Sequence, residues 1–178
     1  MKHINSIIFL TSFLFCQNEP ESTQNLLSEN LKPFQAFIGK TFKGEFANST
    51  PEKPVYDISR WERALNGNAI RIMHSVNNGE YGGESIVMWD TKKESLVSWY
   101  FTTAGFYTQA TLHFEDEKLI SIEDVTGNEN GITQVKAIIS LLPDGELINS
   151  SKYFMNGSWV DGHKIHYKEV PDAKVVFK

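Results

Sequence analysis

The sequence predicts an all-β chain, folded as an antiparallel up-and-down barrel of about ten strands behind one short N-terminal helix. Three observations lead there. Turn chemistry recurs at intervals of roughly 12 residues, as in Asn66-Gly67-Asn68, Asn77-Asn78-Gly79, Ala104-Gly105, Pro143-Asp144-Gly145 and Asn156-Gly157. The runs between these turns are rich in Val, Ile, Thr, Tyr, Phe and Trp. Where register can be argued, the apolar residues of a strand collect on one face. Strands that are dry on one side bury it by packing as two sheets or by closing on themselves. Closure also removes free edges, and hairpin connections favour the up-and-down barrel over a Greek key. A barrel of about ten strands is wide enough to keep a cavity.

The N-terminus is set apart from that domain. Residues 1–16, MKHINSIIFLTSFLFC, put Lys2 and His3 before an apolar run over residues 7–15. That run is short for a membrane span and right for a signal peptide. Residues 17–30 are polar and patternless, which reads as a flexible spacer. Cys16, the only cysteine, ends the apolar run and resembles the lipid-modified cysteine of bacterial lipoproteins, although Phe15 stands where such signals carry a small residue. The expectation is an exported protein, periplasmic or held at the outer membrane by a lipid on Cys16. One cysteine excludes an internal disulfide. A net charge of −5 and a pI near 5.5 argue against nucleic acid as a partner, because that role needs a basic surface.

The domain spans residues 31–178. Its first element, LKPFQAFI over residues 31–38, reads as the short helix. If Asn66-Gly67 makes the next hairpin, one face collects Trp61, Leu65, Ile70, Ile72 and Val76. The other face collects Arg60, Glu62, Arg71 and Ser75, with Glu62 opposite Arg71 as a favourable charge pair. In that register Ser59 pairs with His74, and Asp57 lies one diagonal step away. Extending the pattern past residues 77–83 brings Glu84 beside His74. Reading Ala104-Gly105 as a two-residue loop puts Val97, Trp99, Phe101, Phe106, Ala110 and Leu112 on the dry face. A four-residue loop over residues 91–94 then carries that face back into Ile86 and Met88.

Chemistry concentrates at one end of this barrel. Ser59, His74 and Glu84 form polar anchors, and Trp61, Trp99 and Phe101 form an aromatic wall, the usual anatomy of a small-molecule site. The reading is therefore a non-enzymatic binder of an apolar or aromatic ligand. A Ser/His/Asp hydrolase lacks any nucleophile elbow or oxyanion hole in the sequence. No histidine pair has metal-ligand spacing, and His163 and His166, three apart on a strand, fall on opposite faces. GEYGGE joins two strands and opens no helix, so it cradles no phosphate. A filled barrel serving as an envelope interaction scaffold, with no ligand, is the alternative.

Several segments carry a family resemblance. FIGKTFKGEF, WERALNGNAIRI, NNGEYGGESIVMWD and FTTAGFYT are similar to calycin barrels, the lipocalin-like proteins, and closest to nitrobindin-like and bacterial lipocalin-like domains. The resemblance implies a barrel with an internal cavity and no established catalytic activity. Nitrobindin-like proteins bind haem through a histidine on a C-terminal strand; HKIHYKEV resembles that strand and offers His163 or His166 as the ligand. The opening motif departs from that family at Phe42 and Phe46, so haem stands behind the apolar ligand as an alternative.

Overall fold

Ten antiparallel strands follow one another around a closed barrel, each hydrogen-bonded to its neighbour in sequence, and the first meets the last to complete the ring. In this computed structural model, which describes residues 26–126 and 130–178, they are β1 (Thr41–Phe46), β2 (Tyr56–Ala64), β3 (Ala69–Val76), β4 (Tyr81–Asp90), β5 (Ser95–Thr102), β6 (Tyr107–Glu115), β7 (Lys118–Asp124), β8 (Ile132–Leu141), β9 (Leu147–Met155) and β10 (Ser158–Glu169). The up-and-down barrel expected from the turn rhythm is the fold. Its short helix is a 3-10 helix, Glu29–Phe34, starting slightly ahead of the apolar pattern. The signal-like run, Cys16 and the spacer up to residue 25 lie outside the described residues.

Apolar side chains converge at one end of the barrel. Leu31, Phe34 and Phe37 enter that end and join Phe42, Trp61, Ile70, Val87, Leu96, Leu112 and Leu147 in one cluster. Phe37 stacks on Trp61 with ring centroids 4.7 Å apart, and Phe34 meets Phe114 edge-on at 5.0 Å. Two hydrogen bonds moor this segment to the β2–β3 turn: Arg63 Nε donates to the Leu26 carbonyl and the Ser28 amide donates to that of Gly67, each at 2.9 Å. A short helix that is marginal alone is held here by tertiary packing. It stoppers the barrel.

The β2–β3 hairpin has the register expected of it: Trp61 faces Ile72, Ser59 faces His74, and Asp57 faces Val76. Leu65 is the exception, 66% exposed. Leu65 and Asn66 both have left-handed φ, at 45° and 54°, and this turn lifts the leucine off the sheet. On the outer face Arg71 reaches Glu62 only at 3.9 Å and takes Glu84 at 2.6 Å.

The β5–β6 hairpin corrects the sequence reading. Phe101 faces Tyr107 and Ser98 faces Ala110, leaving a three-residue loop over residues 103–105. Gly105 sits at its left-handed position, φ 84°, the usual place for glycine in such loops. Changing a two-residue loop to three slips the pairing by one and turns every β5 side chain over. Leu96, Ser98 and Tyr100 therefore point inward, while Val97, Trp99 and Phe101 point out. The loop over residues 91–94 is as expected, so the inversion passes into β4. Ile86 and Met88 pair with Trp99 and Val97 on the outside. The alternate β4 positions, Ser85 and Val87, face in.

After β10 the chain returns along the outside of the barrel. The Val170 amide donates to the Thr41 carbonyl, and the Val176 amide donates to Ser75 Oγ at 3.0 Å. This tail is what covers Ser75, an outward-facing residue that is only 1% exposed.

Candidate functional site

Above the stopper the barrel holds a cavity of about 550 Å³ that opens towards the β1–β2, β3–β4 and β5–β6 turns. Its floor is apolar, with Trp61, Ile72 and Ile139; its walls carry Asp57, His74, Tyr81, Tyr100, Glu123, His163, Ile165 and Tyr167. Strand alternation on β2 and β3 delivers Asp57, Ser59, Trp61 and His74 to this interior. Of the residues expected in the site, Ser59, Trp61, His74 and His163 line the cavity.

The others lie elsewhere. Glu84 is on the outer face, bound to Arg71, because it pairs with Met73 and not beside His74. Trp99 lines a shallow external groove with Val97, Thr111 and Ile122. Phe101 is half-exposed against Tyr107. His166 points outward to the Glu146 carboxylate at 3.3 Å. Cys16 lies outside the described residues.

The polar side chains form a chain of hydrogen bonds across five strands, β10, β2, β3, β5 and β4. His74 Nδ1 lies 2.8 Å from Asp57 Oδ1, and the Tyr167 hydroxyl donates to Asp57 Oδ2 at 2.9 Å. A carboxylate only accepts, so His74 carries its proton on Nδ1. His74 Nε2 then faces the Tyr100 hydroxyl oxygen at 2.6 Å, and 3.1 Å separates that oxygen from the Tyr81 hydroxyl. Burial pushes the Tyr100 hydroxyl well above the ordinary phenol range, helped by the bond to Tyr81 and by the Asp57 charge. Burial does the same to Tyr167, again with Asp57. Both phenols keep their protons and act as donors.

Glycines let these rings lie flat on the wall. An added Cβ at Gly44 would stand 2.6 Å from Tyr167 Cδ1, and one at Gly83 would collide with the Tyr100 ring and the Phe101 carbonyl. The NNGEYGG segment thus supplies Tyr81 to the chain and clears room for Tyr100.

On the opposite wall a β-bulge between Asp161 and Lys164 swings His163 inward. Its backbone amide donates to Ser151 Oγ at 2.9 Å, and its Nδ1 lies 3.1 Å from that oxygen and 3.0 Å from the Tyr153 hydroxyl. The ring keeps accessible surface at the mouth, yet desolvation by the wall holds its pKa below the ordinary histidine value. Among the described residues its Nε2 has no hydrogen-bond partner. No group of three or more His, Cys, Asp or Glu side chains there is placed to hold a metal ion.

Among the described residues, Glu123 is the cavity carboxylate for which burial and the Thr108 hydroxyl, and no basic group, set the environment. Burial raises its pKa, and the Thr108 hydroxyl offsets part of that rise. A raised native value means that folding disfavours the ionised form. The stability associated with the protonated group is complete below the unfolded value, near 4.5, and is lost as pH rises through the native value. Glu123→Gln escapes that loss. The variant should melt above the wild type at neutral pH, with the gap closing on acidification below about pH 4.5. Thermal melts across that range check this; a gap that does not change with pH contradicts it.

Tyr81, Tyr100, Glu123 and Tyr167 are site residues that sequence reasoning missed. No known protein family profile matches the chain, and no curated protein is significantly similar to it.

Proposed function

We propose that this protein is a lipocalin-like barrel that takes a small, partly apolar molecule into its cavity and does not transform it. One observation carries the reading: a stoppered cavity of about 550 Å³ combines an apolar floor with polar groups converging from several strands. That is within the roughly 300–1,000 Å³ typical of small-molecule sites and matches their lining. Export, with the chain tethered through a lipid at Cys16, belongs to the same proposal and rests on the signal-like N-terminal run.

A second reading is favoured by His163. If the Ser151 hydroxyl donates to the His163 carbonyl, 3.3 Å away, His163 Nδ1–H donates to Ser151 Oγ and Nε2 is left as a free lone pair facing the cavity. A metal-binding histidine is commonly oriented through its other nitrogen in this way. The residues thus fit a haem whose iron is held by His163; bound there, the group would supply diatomic-gas binding.

One binding screen tests both readings. Lipids, aromatic metabolites and haem are offered to the wild type and to Ala137→Phe, which fills the β8 side of the cavity. The expected result is a set of ligands that raise the melting temperature of the wild type and not of the filled variant. Equal shifts in both, or none in either, remove the cavity as a ligand site and leave the scaffold alternative. For haem, a Soret band that vanishes in His163→Ala and survives in His166→Ala is expected; a band indifferent to His163 rejects the second reading.

A further inference from the structure

We propose that the cavity selects organic cations: a protonated amine on a compact apolar or aromatic body, its ammonium group directed at Glu123 and at the Tyr81–Tyr100 hydroxyl pair. This deepens the ligand-binding reading above and rests on it.

The first support is the sign of the charge inside. Asp57 and Glu123 both line the cavity, and among the described residues no lysine or arginine does. The nearest arginines on the β2–β4 wall, Arg60 and Arg71, are turned outward and bound to Glu62 and Glu84. Asp57 is committed, since one oxygen takes His74 and the other takes Tyr167. Glu123 is not: its neighbour is the neutral Thr108 hydroxyl. A carboxylate enclosed without a counter-charge is costly, and a bound cation removes that cost. An anionic ligand meets the opposite situation, because repulsion is strong in a poorly screened interior.

The second support is the set of acceptors that face the cavity. His74 Nδ1–H goes to Asp57, and the Tyr100 hydroxyl, whose oxygen lies 2.6 Å from His74 Nε2, donates to the Tyr81 oxygen at 3.1 Å. The Tyr81 oxygen, at the end nearest the mouth, keeps a second lone pair for an incoming donor. On the far wall Asn149 Oδ1 is another acceptor, and it has no hydrogen-bond partner among the described residues. Trp61 Nε1 is an unpartnered donor, but its ring is stacked on Phe37 in the stopper. The Tyr81 and Asn149 oxygens thus remain open to a donor, and an ammonium group offers several.

The third support is aromatic surface. Tyr81 and Tyr100 flank His74, with ring centroids 6.0 and 5.5 Å from its imidazole, and Phe46 and Tyr167 stand on the adjoining wall. Rings so placed attract cations through their faces and pack equally well against an apolar body.

Matched ligands isolate the charge from the shape. Calorimetric titration of the intact chain with tryptamine, tryptophol and indole-3-acetate, and with benzylamine and benzyl alcohol, compares ammonium, hydroxyl and carboxylate on the same skeletons. We expect each amine to bind at least tenfold more tightly than its alcohol, and indole-3-acetate not to bind. In Glu123→Gln the amine-to-alcohol ratio should fall towards one while the alcohols keep their affinity. Alcohols that match or exceed the amines, preferential binding of the carboxylate, or a ratio unmoved by Glu123→Gln overturns the inference and leaves the cavity as a ligand site. Failure of every compound to bind, together with a silent Ala137→Phe comparison, overturns both.

Discussion

Phe34→Ala is expected to destabilise the protein by about 3–5 kcal/mol, the range for truncating a buried aromatic. Phe34 is completely buried and bridges the stopper to the barrel, with Trp61 and Phe114 on either side. Removing the ring leaves a void that the closed sheet collapses into poorly, because hydrogen-bonded strands have little freedom to shift. Leu65→Ala is the comparison. Leu65 is expected from the sequence on the dry face with Trp61 but is 66% exposed, so its truncation should change stability by less than about 0.5 kcal/mol. Urea unfolding of both variants measures the difference. Similar losses would mean that the stopper does not support the barrel.

Asp57→Ala is the second large effect, at roughly 2–6 kcal/mol, the sum for two buried donors that lose their acceptor. Its side chain is 3% exposed and accepts from both His74 and Tyr167. Without it, two enclosed donors lose their acceptor, and each unsatisfied group costs about 1–3 kcal/mol. The effect also extends to geometry: with its Nδ1 released, the His74 ring is free to rotate away from Tyr100. The check is a lower urea midpoint with an unchanged slope, and loss of the downfield imidazole N–H resonance in NMR. A midpoint within about 1 kcal/mol of the wild type would show that the carboxylate is dispensable.

The hairpins account for what could and could not be read from the sequence. Asn66-Gly67 sits in a turn whose register is also indicated in the sequence by opposite charges at Glu62 and Arg71, so Asp57, Ser59, Trp61 and His74 were legible as one inward group. Ala104-Gly105 carries no such second constraint. Its glycine serves a two-residue or a three-residue loop equally well, and that ambiguity displaced Trp99, Phe101 and Glu84 from the interior and hid Tyr100. On β7 the pattern itself misleads. Ile120 and Ile122 alternate with Ser121 and Glu123, yet Ser121 and Glu123 line the cavity while Ile122 lines the external groove. Alternation reports which residues are apolar, not which side of a barrel wall has an empty space behind it. Tyr167 joins Asp57 from 110 residues away, a contact that only closure of the ring creates.

That closure has a kinetic consequence. Pairing of β1 with β10 brings together the first and last strands of the domain, so the barrel has no complete form until the final strand is in place. Hairpins can form locally and early, but the seam must wait for the longest loop closure in the domain, which makes it the slow step. Until then two unsatisfied strand edges stay available to other chains, which makes the interval before ring completion the period of greatest aggregation risk.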